Sequence, residues 1–164
     1  MTKKTILIID DHPLFRKGVQ QLLSMDEQYE IVGEAADGMT GLGMIESLAP
    51  DMVLLDLNME TMSGLDVLEE IKKRKFDTEV VIMTVSNQDS DVAKAIQLGA
   101  DGYLLKDMEP EDILAKLVQV SDGSVVMDDR VSMLLANMLK SGNHFTTLDN
   151  VKLTQRETDI MRLL

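Results

Sequence analysis

Residues 52–56 read Met-Val-Leu-Leu-Asp, four apolar residues followed at once by an acid. Four other short runs, largely apolar, repeat at intervals along the chain: residues 6–9, 29–33, 80–83 and 102–105. A short apolar run without alternation is typical of a strand buried on both faces of a parallel sheet. Amphipathic stretches separate the runs. The sequence therefore predicts an α/β fold, a doubly wound five-stranded parallel sheet of the (βα)5 type, over residues 1–123.

Capping residues predict where the helices between these strands begin and end. The candidate start residues are Pro13, Ser63, Ser90 and Pro110, and the candidate stop residues are Gly99 and Gly123. Proline suits the first helical position, serine suits the N-cap, and glycine suits the position just after a helix.

The pattern changes after residue 123. Apolar residues at helical spacing within residues 131–139 predict an amphipathic helix of roughly 12 residues, packed against the last helices of the sheet domain. Residues 124–152 form the predicted linker that contains this helix, and its stretch 141–152 is polar and aperiodic. Structure is expected to restart at residues 153–164, where Thr154 and Glu157 make a capping box.

The net charge of −13 is unevenly distributed. Residues 124–164 hold five basic and five acidic side chains, so the whole excess lies in residues 1–123. An acidic surface repels nucleic acid, because duplex binding needs cations that neutralise phosphates. We therefore expect no DNA-binding surface in residues 1–123, and simple solubility remains an alternative explanation of the charge.

Two absences in the sequence exclude further classes of protein. There is no cysteine, so disulfides, thiolate nucleophiles and cysteine-based metal sites are excluded. Apolar runs of four residues are far shorter than the roughly 20 residues of a membrane helix, and Asp10 interrupts any signal-peptide core. We expect a cytoplasmic protein with no membrane partner.

Polar residues stand at the ends of four of the predicted strands: Asp10 with Asp11, Asp56, Thr84 and Lys106. The carboxyl ends of parallel strands meet at one edge of the sheet, where ligands bind. Three crowded carboxylates repel one another unless a cation intervenes, and Mg²⁺ prefers oxygen ligands. The sequence predicts a magnesium site made by the three acids, with Lys106 as a compensating charge and Thr84 as a hydroxyl donor.

This set of residues suits phosphoryl transfer to a carboxylate. A carboxylate can attack phosphorus and form an aspartyl phosphate, and metal, lysine and hydroxyl groups neutralise the charge without a general base. His12 and His144 are each expected to have a loop or helix-cap role. No glycine-rich phosphate loop follows the first strand, so no nucleotide cofactor is expected. Asp56 alone could be a turn residue and Lys106 alone a solvated cation, but the coincidence of five residues favours a site.

Three segments resemble the receiver domain of response regulators of the NarL/FixJ type: residues 9–13, residues 54–59 with Gly64, and residues 102–107. The resemblance covers about 123 residues. It implies that a sensor histidine kinase phosphorylates the protein, with no enzyme activity beyond its own phosphorylation and dephosphorylation. The implied roles are phospho-acceptor for Asp56, Mg²⁺ ligands for Asp10, Asp11, Asp56 and the backbone carbonyl of Asn58, switch pair for Thr84 and Tyr103, and phosphoryl contact for Lys106.

Residues 153–164 resemble the opening of the LuxR-type helix-turn-helix domain. In that family phosphorylation frees or dimerises the DNA-binding domain, which implies a transcription regulator and a possible homodimer. The chain enters that domain for one helix, so we expect no sequence-specific DNA binding by residues 1–164. The residues around Asn58 and Thr84 resemble those of nitrate/nitrite regulators. One departure is Glu60, which stands where the family usually has proline.

Two other readings stay open at this point. Phosphatases of the haloacid dehalogenase type also form an aspartyl phosphate with Mg²⁺ on a similar sheet. They place the nucleophile after the first strand and a second Asp two residues later, whereas Asp10 is followed by Asp11 and then His12. A stand-alone interaction module with a vestigial pocket is the second alternative, and Glu60 is its only support.

Overall fold

A computed structural model describes residues 3–86, 88–120 and 125–141 of the chain. The predictions for Gly123, His144, the polar stretch from residue 142 and the capping box of residues 153–164 lie outside these ranges. Among the described helices, none is long and apolar enough to cross a membrane.

Six strands form one parallel sheet in the order β2-β1-β3-β4-β5-β6. Their bounds are β1 Lys4–Ile9, β2 Tyr29–Ala35, β3 Met52–Leu55, β4 Glu79–Thr84, β5 Gly102–Leu105 and β6 Val126–Met127. The first five strands confirm the predicted runs. The sequence predicts five strands, and the described sheet has six. The additional strand, β6, has only two residues and lies in the predicted linker. A two-residue strand carries no periodic signal, and it forms only by pairing with the exposed edge of β5.

The helices alternate with the strands as the sequence predicts. Their bounds are α1 Pro13–Ser24, α2 Gly38–Leu48, α3 Gly64–Lys73, α4 Asp89–Gln97, α5 Pro110–Val120 and α6 Asp129–Ser141. Pro13 and Pro110 are the first residues of their helices, and Ser63 caps α3 by accepting a hydrogen bond from the backbone N–H of Asp66 at 3.2 Å. Gly99 follows α4 with a φ of 96°, the left-handed conformation that favours glycine.

The prediction that Ser90 caps α4 was wrong. The N-cap is Gln88, and Ser90 lies inside the first turn. The loop hydroxyl that organises this helix start belongs to Ser86, which donates to the Asp91 carboxylate at 2.6 Å and accepts from the Gln88 backbone N–H at 3.4 Å. These local bonds begin the helix two residues earlier than the serine pattern suggested.

The sheet is covered on both faces. Along β1, Ile6 and Ile8 belong to the core beneath α1 and α5, and Leu7 and Ile9 belong to the core beneath α2, α3 and α4. This alternation follows the two-residue period of a strand, and it confirms the doubly wound architecture. The predicted amphipathic helix is α6, whose Val131 joins the second core. Its apolar face also packs against Ala93 of α4, as expected.

Candidate functional site

The strand order reverses between β1 and β3, so their carboxyl ends border a crevice of the kind that binds ligands in doubly wound sheets. Asp10 follows β1 and Asp56 follows β3, and both residues are 2% exposed. The backbone N–H of Asp56 donates to the carbonyl of Ile9 at 3.0 Å, and that of Asp10 donates to Ala35 at 3.0 Å. The sheet ladder therefore continues through both acids and fixes their positions.

A lysine ammonium lies among these carboxylates. Lys106 Nζ is 2.8 Å from Asp10 Oδ2 and 3.5 Å from Asp56 Oδ2, and its side chain is 10% exposed. The backbone N–H of Lys106 donates to the carbonyl of Thr84 at 2.9 Å, which sets the lysine at the end of the β4–β5 pair. Its ammonium also lies 4.4 Å from the centre of the Phe15 ring, a cation–π contact. The structure thus brings together the predicted residues from the ends of β1, β3 and β5.

Two carboxylate oxygens of the acidic side chains accept no hydrogen bond from the described residues. Asp56 Oδ2 and Asp11 Oδ1 are buried, and neither accepts a hydrogen bond from the described part of the chain. Burial raises the pKa of Asp56, attraction to Lys106 opposes that shift, and repulsion from Asp10 adds to it. Buried carboxylate oxygens without a donor are the ligands a hard divalent cation would take, so the donor set fits Mg²⁺.

His12 faces the same cluster, which the sequence reasoning missed. It occupies the N-cap position of α1, as the expected cap role requires, but its side chain makes no cap hydrogen bond. Instead Nδ1 lies 3.0 Å from Asp10 Oδ1, 3.1 Å from Asp11 Oδ1 and 3.6 Å from Asp56 Oδ2. The adjacency of His12 to the acidic pair was the available signal.

A hydrogen-bonded group links Thr84 to the loop after β4. The hydroxyl Oγ1 of buried Thr84 accepts from Asn58 Nδ2 and from the Ser86 backbone N–H, both at 3.2 Å. The carbonyl of Ser86 in turn accepts the phenol of Tyr103 at 2.8 Å. Tyr103 is fully buried, and burial raises the pKa of its phenol above the ordinary value. Thr84 and Tyr103 therefore hold the same short loop from two sides.

The turn after Asp56 depends on a glycine. Gly64 begins α3, and its backbone N–H donates to the carbonyl of Leu57 at 2.9 Å. A Cβ at this position would lie 2.2 Å from the Asp56 carbonyl oxygen, so a larger residue would displace the acid. Glu60 is exposed in this loop, and the loop is anchored instead by the buried side chains of Leu57 and Met59.

A second charged group, which the sequence reasoning also missed, lies beside the crevice. Arg130 at the start of α6 bonds both oxygens of Asp107 at 2.6 and 2.9 Å, and it bonds Asp128 at 3.0 Å. The guanidinium lowers the pKa of both carboxyls, and they raise its own. Since Asp107 directly follows Lys106, the arginine ties α6 to the loop that carries the lysine.

Comparison with known proteins agrees with this geometry. The sequence-family model described as the response regulator receiver domain matches residues 6–118 of this chain. The nitrate/nitrite response regulator protein NarL of Escherichia coli is 46% identical over 160 residues, which cover 98% of this chain and 74% of that protein. The nitrate/nitrite response regulator protein NarP of the same organism is 42% identical over 159 residues, covering 97% of this chain and 73% of that protein.

Solved structures show the same relationship. The receiver domain of the putative response regulator NarL from Mycobacterium tuberculosis superposes with a TM-score of 0.71 at 35% identity, covering 75% of this chain and 99% of that chain. The resemblance drawn from the three sequence segments is therefore confirmed. The chain belongs to the response regulator receiver family, and it is of the NarL type.

Proposed function

We propose that Asp56 accepts a phosphoryl group from a phosphohistidine of a sensor kinase, and that this event switches transcription. The observation that carries the proposal is Asp56 Oδ2, a buried carboxylate oxygen with no hydrogen-bond donor in the described chain, 3.5 Å from Lys106 Nζ. A buried carboxylate with an oxygen that no donor occupies can attack phosphorus through one of its two oxygens, and the ammonium beside it supplies positive charge for the incoming oxygens.

The transfer balances without a general base. An Asp56 carboxylate oxygen forms the new bond to phosphorus, the bond from phosphorus to the donor imidazole nitrogen breaks, and that nitrogen keeps the electron pair. Mg²⁺, when bound, neutralises charge on the transferring group. Asp10, Asp11, Asp56 and the backbone carbonyl of Asn58 would hold it. The Lys106 ammonium, 3.5 Å from Asp56 Oδ2, would neutralise charge on the phosphoryl oxygens.

The hydrogen bonds around Ser86 support a route from the phosphoryl group to the surface. A phosphoryl group adds charge of about −2 and strong acceptor oxygens, which compete for the hydroxyl of Thr84. Because Asn58 and Ser86 both donate to that hydroxyl, its movement would release the loop that Tyr103 holds through its phenol. The face made by α4, β5 and α5 would then change.

The partners we propose are a sensor histidine kinase, a second copy of the phosphorylated protein, and DNA bound by a LuxR-type domain that begins at residue 153. The two curated relatives are named as nitrate/nitrite response regulators, and on that similarity we propose a nitrate or nitrite signal. Support for Mg²⁺ comes from the carboxylate oxygens of Asp10, Asp11 and Asp56, which lie within 4.8 Å of one another.

Labelling with a small phosphodonor tests the proposal. The protein is incubated with acetyl phosphate in Mg²⁺ or in a chelator, and intact mass is measured for wild type, Asp56→Asn and the control Asp26→Asn. When Mg²⁺ is present, we expect one added phosphoryl group in wild type and in Asp26→Asn, and in the chelator we expect none. Asp56→Asn should gain no phosphoryl group under either condition. Equal labelling of Asp56→Asn would contradict the proposal, and continuous turnover of unrelated phosphate esters would favour a phosphatase.

A further inference from the structure

His12 Nδ1 is placed among the acids as a metal ligand would be. Its distances to one oxygen of each acid are 3.0 Å for Asp10, 3.1 Å for Asp11 and 3.6 Å for Asp56. Ligands held about 2.1 Å from an ion lie about 3.0 Å apart at adjacent octahedral positions and about 3.4 Å apart at tetrahedral positions. The distances from the imidazole nitrogen to Asp10 and Asp11 therefore match those between donors that share one ion, the distance to Asp56 is slightly longer, and all these ligand atoms lie within 4.8 Å of one another.

A second observation points to an ion in this place. Asp56 has a side chain that is 1% exposed, and its Oδ2, one of the three oxygens facing His12, accepts no hydrogen bond from the residues the structure describes. The Lys106 ammonium lies 3.3 Å from His12 Nδ1 and 2.8 Å from Asp10 Oδ2, so the imidazole and the acid both face one positive charge. His12 itself is 59% exposed, which leaves an entry path for ions from solvent.

The chemistry of the imidazole donor decides which ions bind more tightly when His12 takes part. Mg²⁺ takes oxygen ligands and keeps several waters, so an imidazole adds little to its binding. Co²⁺, Ni²⁺ and Zn²⁺ bind imidazole well, whereas Mg²⁺ and Mn²⁺ suit carboxylate, carbonyl and water ligands. Among the divalent transition-metal ions, these three also bind nitrogen and oxygen sites more tightly than Mn²⁺ does. Nδ1 can ligate in the tautomer that carries its proton on Nε2.

We propose that His12 is a ligand for divalent transition-metal ions, and that it makes the pocket of Asp10, Asp11 and Asp56 prefer such ions to Mg²⁺. This inference rests on the metal pocket proposed above. It assigns His12 a role in choosing the ion, separate from the capping position that its backbone occupies. An ion bound by His12 in addition to the other protein donors would also keep fewer positions open for phosphoryl oxygens.

Metal titration of the whole chain tests the inference. Dissociation constants for Mg²⁺ and Co²⁺ are measured by calorimetry on wild type, His12→Phe and His144→Phe, the last being a control for the only other histidine. We expect His12→Phe to lose at least about tenfold in Co²⁺ affinity, since even outer-shell partners of a metal are worth about 10- to 100-fold. Its Mg²⁺ affinity should stay within about threefold of wild type, because Mg²⁺ keeps its oxygen ligands and waters.

A spectroscopic readout accompanies the titration. Proton NMR of the Co²⁺ form should show a strongly shifted exchangeable imidazole N–H in wild type and in His144→Phe, and none in His12→Phe. His12→Ala provides a second variant with no ring. An unchanged Co²⁺ affinity in both His12 variants, or an equal loss for Co²⁺ and Mg²⁺, would overturn the inference.

The failure of the underlying pocket would look different. Asp11→Asn should weaken the binding of both Mg²⁺ and Co²⁺, whether it is introduced into wild type or into a His12 variant. If neither Mg²⁺ nor Co²⁺ bound wild type, the magnesium pocket itself would be refuted together with the role of His12. If both bound and only the His12 dependence were missing, the pocket would stand and the inference about His12 would fall.

Discussion

Replacing Asp56 by Asn is expected to stabilise the fold when divalent cations are absent. The aspartate side chain is 1% exposed, and one of its oxygens accepts no hydrogen bond from the described residues. Burial raises its pKa, attraction to Lys106 opposes the shift, and repulsion from Asp10 adds to it. Burial and Asp10 together cost the charged form more than Lys106 returns, so the neutral, similarly shaped Asn should increase the free energy of unfolding, by about 1–3 kcal/mol on the scale of one imperfectly bonded buried group.

The sign of the pH dependence follows from the raised pKa. A carboxyl whose pKa is higher in the folded state contributes stability below the unfolded pKa of about 4, and loses it as the pH rises through the folded value. The gain in free energy of unfolding that Asp56→Asn shows over wild type should therefore be absent at and below about pH 4 and reach its full size near neutral pH. Added Mg²⁺ should narrow the difference by stabilising wild type, because a ligand that binds only the folded state stabilises it.

Urea denaturation followed by circular dichroism measures this effect. Unfolding free energies are compared for wild type and Asp56→Asn in a chelator near neutral pH and near pH 4. Glu46→Gln is the matched control, since it removes one exposed negative charge on α2 and should change stability by less than about 0.5 kcal/mol. A less stable Asp56→Asn at neutral pH, or a gain that does not depend on pH, would refute the reasoning.

Three further perturbations test the parts around the crevice. Gly64→Ala should cost about 1–3 kcal/mol and weaken Mg²⁺ binding, because its Cβ would lie 2.2 Å from a carbonyl oxygen, whereas Gly43→Ala meets nothing within 4 Å and should be neutral or stabilising in urea denaturation. Arg130→Gln should lower stability at neutral pH. This loss should fade as the pH falls through the lowered pKa of Asp128, below its ordinary value of about 4, and unfolding curves that stay separated in acid would contradict it. Tyr103→Phe should cost about 0.5–1.5 kcal/mol in the same assay by removing a hydrogen bond of 2.8 Å, and an unchanged midpoint would argue against that bond.

The strands could be predicted because burial on both faces leaves a plain signal. The run of residues 52–55 is fully apolar, and β3 occupies those residues. β6 could not be predicted, since Val126 and Met127 become a strand only through pairing with the edge of β5. The start of α4 was misplaced for a related reason. The hydroxyl of Ser86 and its contact with Asp91 organise that turn. The sequence has serines at both 86 and 90, and the pattern does not show which of them organises the start of the helix.

The crevice could be predicted from strand ends, because parallel strands place their carboxyl ends at one edge. That rule located Asp10, Asp56 and Lys106 without any knowledge of side-chain rotamers. It gave no direction for His12, whose ring could face either solvent or the acids. The bond between Arg130 and Asp107 was also beyond the sequence, since it joins residues 23 positions apart across two elements whose relative placement comes from packing.

The most direct measurement of the central claim locates the phosphoryl group itself. Wild-type protein is treated with acetyl phosphate and Mg²⁺, and the acyl phosphate is then reduced with borohydride, which converts a phosphorylated aspartate into homoserine. Peptide mass spectrometry reads the modified position. Homoserine at position 56, formed only with Mg²⁺ and lost in Lys106→Ala, is the expected result. Homoserine at another aspartate, or none in a protein that still binds Mg²⁺, would contradict the account.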